Sequence, residues 1–226
     1  MNIDIILGKT TEHLVQLEGT KCFIHKQMLQ DFLALQKASR DAGFDLQVIS
    51  GFRDYDRQLT IWNAKAIGER PLYDKNGVLL KYSQLSPVEI MWAILQWSAL
   101  PGASRHHWGT DIDVYDGKTQ RPAEVKLIPD ECENGGPSAA LHEWLDSLIF
   151  QKSSWGFYRP YQTDTGGVSP ERWHLSYAPL SSRINEMYTY SIFKRSLEES
   201  PILLKEVVLE HAAEIFERFV QNVDLP

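Results

Sequence analysis

The chain has 226 residues, 43% hydrophobic and 23% charged, a composition typical of a globular protein and not of a disordered, collagen-like or coiled-coil chain. Its 23 basic and 30 acidic residues give a net charge of −7, which argues against a nonspecific nucleic-acid binder because such proteins need clustered positive charge. Cys22 and Cys132 are too few for a disulfide framework.

The beginning of the chain lacks the basic region and apolar run of an export signal, and no stretch of about 18 apolar residues predicts a membrane span. We therefore expect a cytoplasmic protein with no membrane segment, while export by another route stays open. The oligomeric state is also left open by the sequence.

In the first half of the chain, hydrophobic spacing and turn residues predict helices alternating with strands. Asn76-Gly77, between two short apolar runs, is typical of a β-hairpin turn, so we expect a hairpin insertion near residues 70–82. The predicted elements are a helix over 24–42, a strand over 46–49, a helix over 54–67 and a helix over 86–100.

In the second half, the predicted elements are a strand over 112–114, a loop over 129–138, a helix over 139–150, a strand over 173–177 and a last helix over 202–223. We therefore expect one α+β domain over residues 1–226, with a small, mainly antiparallel sheet flanked by helices. A helical C-terminal extension is expected over 181–226.

Three of the seven histidines, His106, His107 and His174, lie close in the sequence to carboxylates, a residue type that can also bind metals. A catalytic zinc site commonly takes three histidine or carboxylate ligands and keeps one position for water. The segment around residues 104–113 can supply two ligands, and His174 can supply the third. Spacing does not decide between His106 and His107. It does not decide between Asp111 and Asp113 either, because alternate residues of a strand share one face.

Glu171, three residues before His174, is a candidate general base that could take a proton from water and return it to a leaving amine. The alternative is a surface carboxylate paired with Arg172. The sequence has no HExxH motif, which excludes the helical two-histidine zinc site of thermolysin-like enzymes.

Three sequence blocks resemble the signature of one known family. Residues 104–113 resemble its SxHxxG(x)3D motif, residues 171–174 (ERWH) its ExWH motif, and residues 50–58 (SGFRDYDRQ) its SGYRxxxxQ motif. The blocks occur in the family's order across residues 50–177. The chain is therefore similar to zinc D-alanyl-D-alanine carboxypeptidases of the VanY type.

This resemblance implies that His106, Asp113 and His174 bind Zn²⁺, at the ends of strands, and that Glu171 is the catalytic base. In this family alanine usually stands where this chain has Asp111. The second carboxylate could hold a ligand histidine from outside the metal site.

The resemblance also implies a catalytic and substrate-binding role for Arg53, and that Gln58 and Ser104 line the peptide site. A fixed guanidinium can stabilise the charge that develops on a carbonyl oxygen. From the residues alone, an ion pair of Arg53 with Asp54 or Asp56 is the alternative.

The implied function is hydrolysis of the terminal D-alanyl-D-alanine bond of peptidoglycan stem peptides or their fragments, so the expected partner is such a peptide. The alternatives are an L,D-carboxypeptidase or a D,D-dipeptidase of the same fold, or a non-catalytic peptidoglycan-binding module. Residues 191–194 match the SxxK motif of serine carboxypeptidases, but the accompanying KTG and SxN motifs are missing. The hairpin near Asn76-Gly77 and the loop over 130–137 are the expected specificity elements.

Overall fold

The centre of the fold is a small antiparallel sheet in the computed structural model, which describes residues 2–226. The strands are β1 (Leu14–Gln16), β2 (Phe23–His25), β3 (Leu46–Ser50), β4 (Asp111–Asp116), β5 (Phe157–Tyr158) and β6 (His174–Tyr177). Strands β3, β4, β6 and β5 lie side by side in that order, and each neighbouring pair is antiparallel. Strands β1 and β2 pair separately.

Helices flank this sheet, as the sequence predicts, so the α+β fold class is confirmed. The α-helices are α1 (Ile3–Ile6), α2 (Leu29–Asp41), α3 (Tyr55–Ala66), α4 (Pro87–Leu95), α5 (Pro129–Cys132), α6 (Ala139–Phe150), α7 (Ala178–Met187), α8 (Tyr190–Glu199), α9 (Lys205–Glu210) and α10 (Ala212–Ile215). Short 3-10 turns cover Lys26–Met28, Tyr82–Gln84, Arg105–Trp108 and Pro122–Glu124, and a π-helix covers Phe216–Gln221. None of the helices within residues 2–226 has the length and apolar character to cross a bilayer.

The two faces of the sheet serve different purposes because side chains alternate along each strand. Ile112, Val114 and Leu175 are buried in an apolar cluster with residues of α2 and α6. Asp113 of β4 stands directly opposite His174 of β6, and the alternation places both on the other face. The apolar face therefore anchors the sheet and leaves the other face for polar side chains.

A second apolar cluster holds the helices beside the polar face. It joins Trp62 of α3, Met91 of α4, Phe193 of α8 and Ile215 of α10, all of them buried. Asp54 caps α3 by accepting a hydrogen bond from Arg57 N. The cluster therefore fixes α3, with the strand-to-helix junction before it, against the rest of the chain.

The predicted helix over 24–42 begins too early. Residues Phe23–His25 form β2, because they pair antiparallel with Leu14–Gln16, and a 3-10 turn follows before α2 begins at Leu29. The end was predicted well, since α2 ends at Asp41 and Gly43 adopts the left-handed conformation at φ +95°.

The predicted helix over 86–100 begins correctly and ends early, at Leu95. Ser86 and Glu89 form a capping box at its start. After Leu95, the carbonyl and side chain of Gln96 bind the distant Ser169, so the chain leaves the helix to make these contacts.

The expectation of a continuous last helix over 202–223 is wrong. Leu204 adopts a left-handed conformation at φ +61°, and His211 separates α9 from α10 before the π-helix begins. The predicted apolar face is still present, since Val208, Ala212 and Ile215 are all buried.

Two predicted irregular segments also differ in detail. Residues 129–132 of the predicted loop over 129–138 form the short helix α5, which Pro129 begins in a conformation suited to a first turn. In the predicted hairpin, Gly77 adopts φ +76°, and a single bridge joins Tyr73 to Leu79. The division into one domain with an insertion near 70–82 and an extension over 181–226 stays a prediction.

Gly109 allows a test of how tightly the 3-10 turn before β4 packs. Its φ is +69°, and an added Cβ would lie 2.5 Å from Leu14 Cδ2 and 3.1 Å from His25 N. We expect Gly109→Ala to lower the free energy of unfolding by about 2–5 kcal/mol, from left-handed strain and overpacking together, measured by urea denaturation.

Gly77→Ala is the matched control. Gly77 has φ +76° but nothing within 4 Å of an added Cβ. The free energy of unfolding of Gly77→Ala should fall only by the cost of the left-handed strain, about 1–2 kcal/mol. Equal losses in the two variants would contradict close packing of the turn against β1 and β2.

Candidate metal centre

Three side chains from three elements converge on the polar face of the sheet. His106 belongs to the 3-10 turn, Asp113 to β4 and His174 to β6, and all three are buried. His106 Nε2 lies 3.3 Å from Asp113 Oδ2, and His174 Nδ1 lies 3.4 Å from Asp113 Oδ1. One nitrogen or oxygen atom from each residue lies within 4.8 Å of the others. The structure therefore brings together the ligand set that the resemblance implies.

Contacts outside the cluster orient both imidazole rings. His106 Nδ1 lies 2.9 Å from the Gly51 carbonyl oxygen, which can only accept, so Nδ1 carries the hydrogen and Nε2 keeps a lone pair. His174 Nε2 lies 3.0 Å from Asp111 Oδ1 and donates to that carboxylate. The other nitrogen of each ring therefore faces Asp113, as outer contacts commonly arrange in metal sites.

The residues fit a tetrahedral cation. Within residues 2–226 the buried Asp113 Oδ1 accepts no hydrogen bond, which is unfavourable for a polar atom, and His174 Nδ1 faces only carboxylate oxygens of Asp113 and Glu171, at 3.4 and 3.3 Å. Ligands about 2.1 Å from one tetrahedral ion lie about 3.4 Å apart, close to the 3.3 and 3.4 Å between each histidine nitrogen and an Asp113 oxygen. Two imidazoles and one carboxylate are a ligand set that catalytic zinc uses.

Asp111 is held as a buried carboxylate by a cation and two hydrogen bonds. Arg105 Nε donates to it at 2.8 Å and Thr110 Oγ1 at 2.7 Å, besides the contact with His174. Burial alone would raise the pKa of Asp111, but the Arg105 charge and these hydrogen bonds hold it well below its usual range. The expected contact between Asp111 and a candidate ligand histidine is therefore present.

Glu171 lies beside the cluster. Its Oε2 is 3.3 Å from His174 Nδ1, and its backbone N–H donates to the Tyr161 carbonyl at 2.9 Å. Burial opposes the charged form of His174, but its contacts with Asp111, Glu171 and Asp113 raise its pKa to about 9. A metal binding here must therefore displace a proton from His174.

Arg53 lies at the strand-to-helix junction, facing the carboxylates of the site. Its side chain donates to Gln58 Oε1 at 2.9 Å and to Ser50 Oγ at 3.3 Å. Burial lowers the pKa of Arg53, while Asp113 and Glu171 favour its charged form. Arginine stays charged over such shifts, so the site keeps a fixed cation.

Gln58 and Ser104, the other two residues expected at the peptide site, are both buried. Gln58 uses its oxygen for Arg53 and donates from Nε2 to the Ala99 carbonyl at 2.7 Å, which places it behind Arg53. The Ser104 carbonyl accepts from His107 N at 3.0 Å, at the start of the turn that carries His106. Their contacts with a substrate stay predictions.

His107 is turned away from the cluster. Its Nε2 accepts from Gly102 N at 3.0 Å, and its Nδ1 therefore donates to the Arg53 carbonyl at 2.5 Å. Burial, with the charge of Arg53, lowers the pKa of His107 to about 3. A neutral ring with both nitrogens occupied cannot bind a metal, so geometry decides between His106 and His107 where spacing could not.

Sequence reasoning missed Arg105 and Tyr161. Arg105 donates to Asp111 and to Tyr158 Oη, and the Tyr161 ring lies 5.1 Å from the His174 ring. The signal for Arg105 was the unusual Asp111, because a buried carboxylate needs a counter-charge. Tyr161 is brought in by the loop before β6 and had no local signal.

Comparison with known proteins gives a family match and relatives of similar sequence. The model of the VanY family, described as D-alanyl-D-alanine carboxypeptidase, matches residues 21–180. An uncharacterized protein of Haemophilus influenzae (strain KW20 / Rd) is 44% identical over 100 residues, which are 43% of this chain and 68% of that protein.

Solved structures share the fold at low sequence identity. VanYB in complex with D-alanine-D-alanine has a TM-score of 0.54 and 22% identity, covering 77% of this chain and 82% of its own. The D,D-pentapeptidase VanY of a VanB-type resistance cassette, in complex with Zn(II), has a TM-score of 0.53 and 21% sequence identity. The match covers 88% of this chain and 92% of that one. The LD-carboxypeptidase LdcB has a TM-score of 0.53 and 18% sequence identity. The match covers 93% of this chain and 80% of that one.

Zinc stoichiometry tests the cluster. We expect the purified chain to bind about one zinc ion, and His106→Ala to bind almost none, because three protein ligands are the usual minimum of a catalytic site. The measurement is zinc per chain by atomic emission after dialysis. His211→Ala, at the partly exposed histidine between α9 and α10, is the control and should keep its zinc. Retention of a full equivalent by His106→Ala would contradict the assignment.

Asp111 should matter for metal affinity without binding the metal. Asp111→Asn removes the charge that holds His174, so we expect zinc affinity to fall by about 10- to 100-fold in competition titrations with a chelator. Asp41→Asn is the control, since Asp41 is exposed and pairs with the exposed Lys37. Unchanged affinity in Asp111→Asn would show that the outer contact has no effect.

Proposed function

The chain belongs to the VanY family of D-alanyl-D-alanine carboxypeptidases, and from this premise we propose that it is a zinc-dependent carboxypeptidase. Its proposed substrate is the terminal D-alanyl-D-alanine bond of peptidoglycan stem peptides or their fragments. The observation that carries the proposal is the meeting of His106, Asp113 and His174 at one point, with Glu171 3.3 Å from His174 Nδ1.

The metal and the protein have separate tasks in this proposal. His106 Nε2, Asp113 and His174 Nδ1 would hold the zinc ion. Zinc bound there would supply a Lewis acid that polarises a carbonyl and lowers the pKa of water toward about 7. Asp111 and the Gly51 carbonyl keep the two rings in the required tautomers.

Glu171 and Arg53 supply the remaining chemistry. The Glu171 carboxylate takes a proton from the attacking water and delivers it to the nitrogen of the leaving residue. The Arg53 guanidinium stabilises the negative charge on the carbonyl oxygen. His107 supports this role by fixing the Arg53 backbone, and Gln58 by holding its side chain.

An L,D-carboxypeptidase is the second candidate. The similarity to the LD-carboxypeptidase LdcB, with a TM-score of 0.53, is as strong as that to VanYB, with 0.54, so the backbone does not discriminate between these activities. A D,D-dipeptidase would use the same chemistry on a shorter substrate. The presence of Glu171 in the site counts against a pure binding module.

A substrate panel separates these activities. The zinc-loaded chain is incubated with pentapeptide, tetrapeptide and free D-Ala-D-Ala, with and without a chelator. We expect release of D-alanine from the pentapeptide alone, and its loss with the chelator. Cleavage of the tetrapeptide would favour the L,D-carboxypeptidase, cleavage of the dipeptide the dipeptidase, and no cleavage the binding module.

Glu171→Gln tests the catalytic base. Because general base catalysis contributes about 10²- to 10⁴-fold, we expect kcat on the cleaved peptide to fall by at least about 10²-fold while bound zinc stays at one equivalent. The control is Glu143→Gln, at an exposed position of α6, which should keep its activity. Near-normal kcat in Glu171→Gln would contradict the assigned role.

A further inference from the structure

The wall of the site beside Arg53 carries a lysine that the chemistry above does not use. Lys65 lies on α3, about two helical turns after Gln58 and therefore on the same face of that helix. Gln58 Nε2 donates to the Ala99 carbonyl at 2.7 Å, and Lys65 Nζ donates to Ser98 Oγ at 2.7 Å. The two side chains thus contact consecutive residues of the segment after α4.

The same segment also holds the loop that carries Glu171. Gln96 Nε2 donates to Ser169 Oγ at 2.6 Å and to the Gly167 carbonyl at 3.1 Å, and Ser169 N donates to the Gln96 carbonyl at 3.0 Å. Residues 96–99 therefore connect Lys65 on one side with the Glu171 loop on the other.

Two other cations, Arg70 and Arg53, act on Lys65 at this wall, together with the carboxylate of Glu171. Lys65 is half-buried. Burial, together with the charges of Arg70 and Arg53 and against the opposing charge of Glu171, lowers the pKa of Lys65 to about 8. Lys65 is therefore mostly charged at neutral pH, and an incoming anion would relieve the repulsion among the three cations.

The chemistry of a carboxypeptidase identifies that anion. Glu171 must reach the nitrogen of the leaving residue, so the released residue lies on the Glu171 side of the scissile bond. The free carboxylate of that residue lies one residue's length beyond the scissile carbonyl, at most about 3.6 Å away. Arg53 is needed at the carbonyl oxygen, which leaves Lys65 as the nearby cation for the carboxylate.

We propose that Lys65, held by Ser98, binds the C-terminal carboxylate of the peptide substrate and so selects free-acid over amidated chain ends. This inference rests on the proposed function and adds a specificity residue to it. The ammonium group donates to a carboxylate oxygen, and no covalent step is involved.

The test compares two substrates in the zinc-loaded protein, a pentapeptide that ends in D-Ala-D-Ala and the same peptide with a C-terminal amide. Because a hydrogen bond to a charged group contributes about 1.5–3 kcal/mol, we expect Lys65→Met to lower kcat/KM for the acid by about 10- to 100-fold, mainly through KM. The value for the amide should change little. Lys65→Arg should keep most of the preference for the acid over the amide. Lys37→Met, at an exposed lysine of α2, should keep the kcat/KM values of the unmodified chain.

Each contrary outcome has a distinct meaning. If the unmodified chain cleaves the acid and Lys65→Met keeps the same preference for it over the amide, the inference fails and the proposed function stands. An equal loss on both substrates would show a structural role for Lys65 and would also overturn the inference. If the unmodified zinc-loaded chain cleaves neither peptide, the proposed function fails and the inference fails with it.

Discussion

The register of β4 against β6 is the constraint on which the site depends. It sets Asp113 directly opposite His174, and a slip by one residue would turn one of them into the apolar core. On the other side of β4, an irregularity between Val48 and Ser50 brings Ser50 opposite Asp113. The chain then runs through Gly51, whose carbonyl orients His106, to Arg53. One sheet register therefore positions both the candidate metal ligands and the fixed cation.

A second layer of charge keeps these groups in place. Buried ions are costly unless they are paired and hydrogen-bonded, and here Arg105 and Asp111 pair with each other while each makes further contacts. Asp111 restrains His174 by accepting its hydrogen bond, and His107 restrains the Arg53 backbone by donating to its carbonyl. The side chains around the site thus reduce the freedom of the groups that would do the chemistry, as preorganised sites require.

Local sequence patterns predicted the parts of this structure that depend on local physics. The fold class, the helix that begins after Asp54 and the turn at Gly77 follow from side-chain periodicity and backbone preference. The ligand set followed from family motifs and not from spacing, which left two pairs of residues unresolved. What failed depends on distant partners: β2 forms because Leu14–Gln16 lies beside it, and α4 ends where Gln96 binds Ser169. Lys65 had no local signal, because its significance comes from Ser98 and the Glu171 loop.

The central claim is that His106, Asp113 and His174 bind one catalytic zinc ion. A crystal structure of the zinc-loaded chain, with the metal located by anomalous scattering, tests it most directly. We expect one peak about 2.0–2.2 Å from His106 Nε2, an Asp113 carboxylate oxygen and His174 Nδ1, with Glu171 beside it and unbound. A peak elsewhere, or coordination through His107 or Asp111, would contradict it.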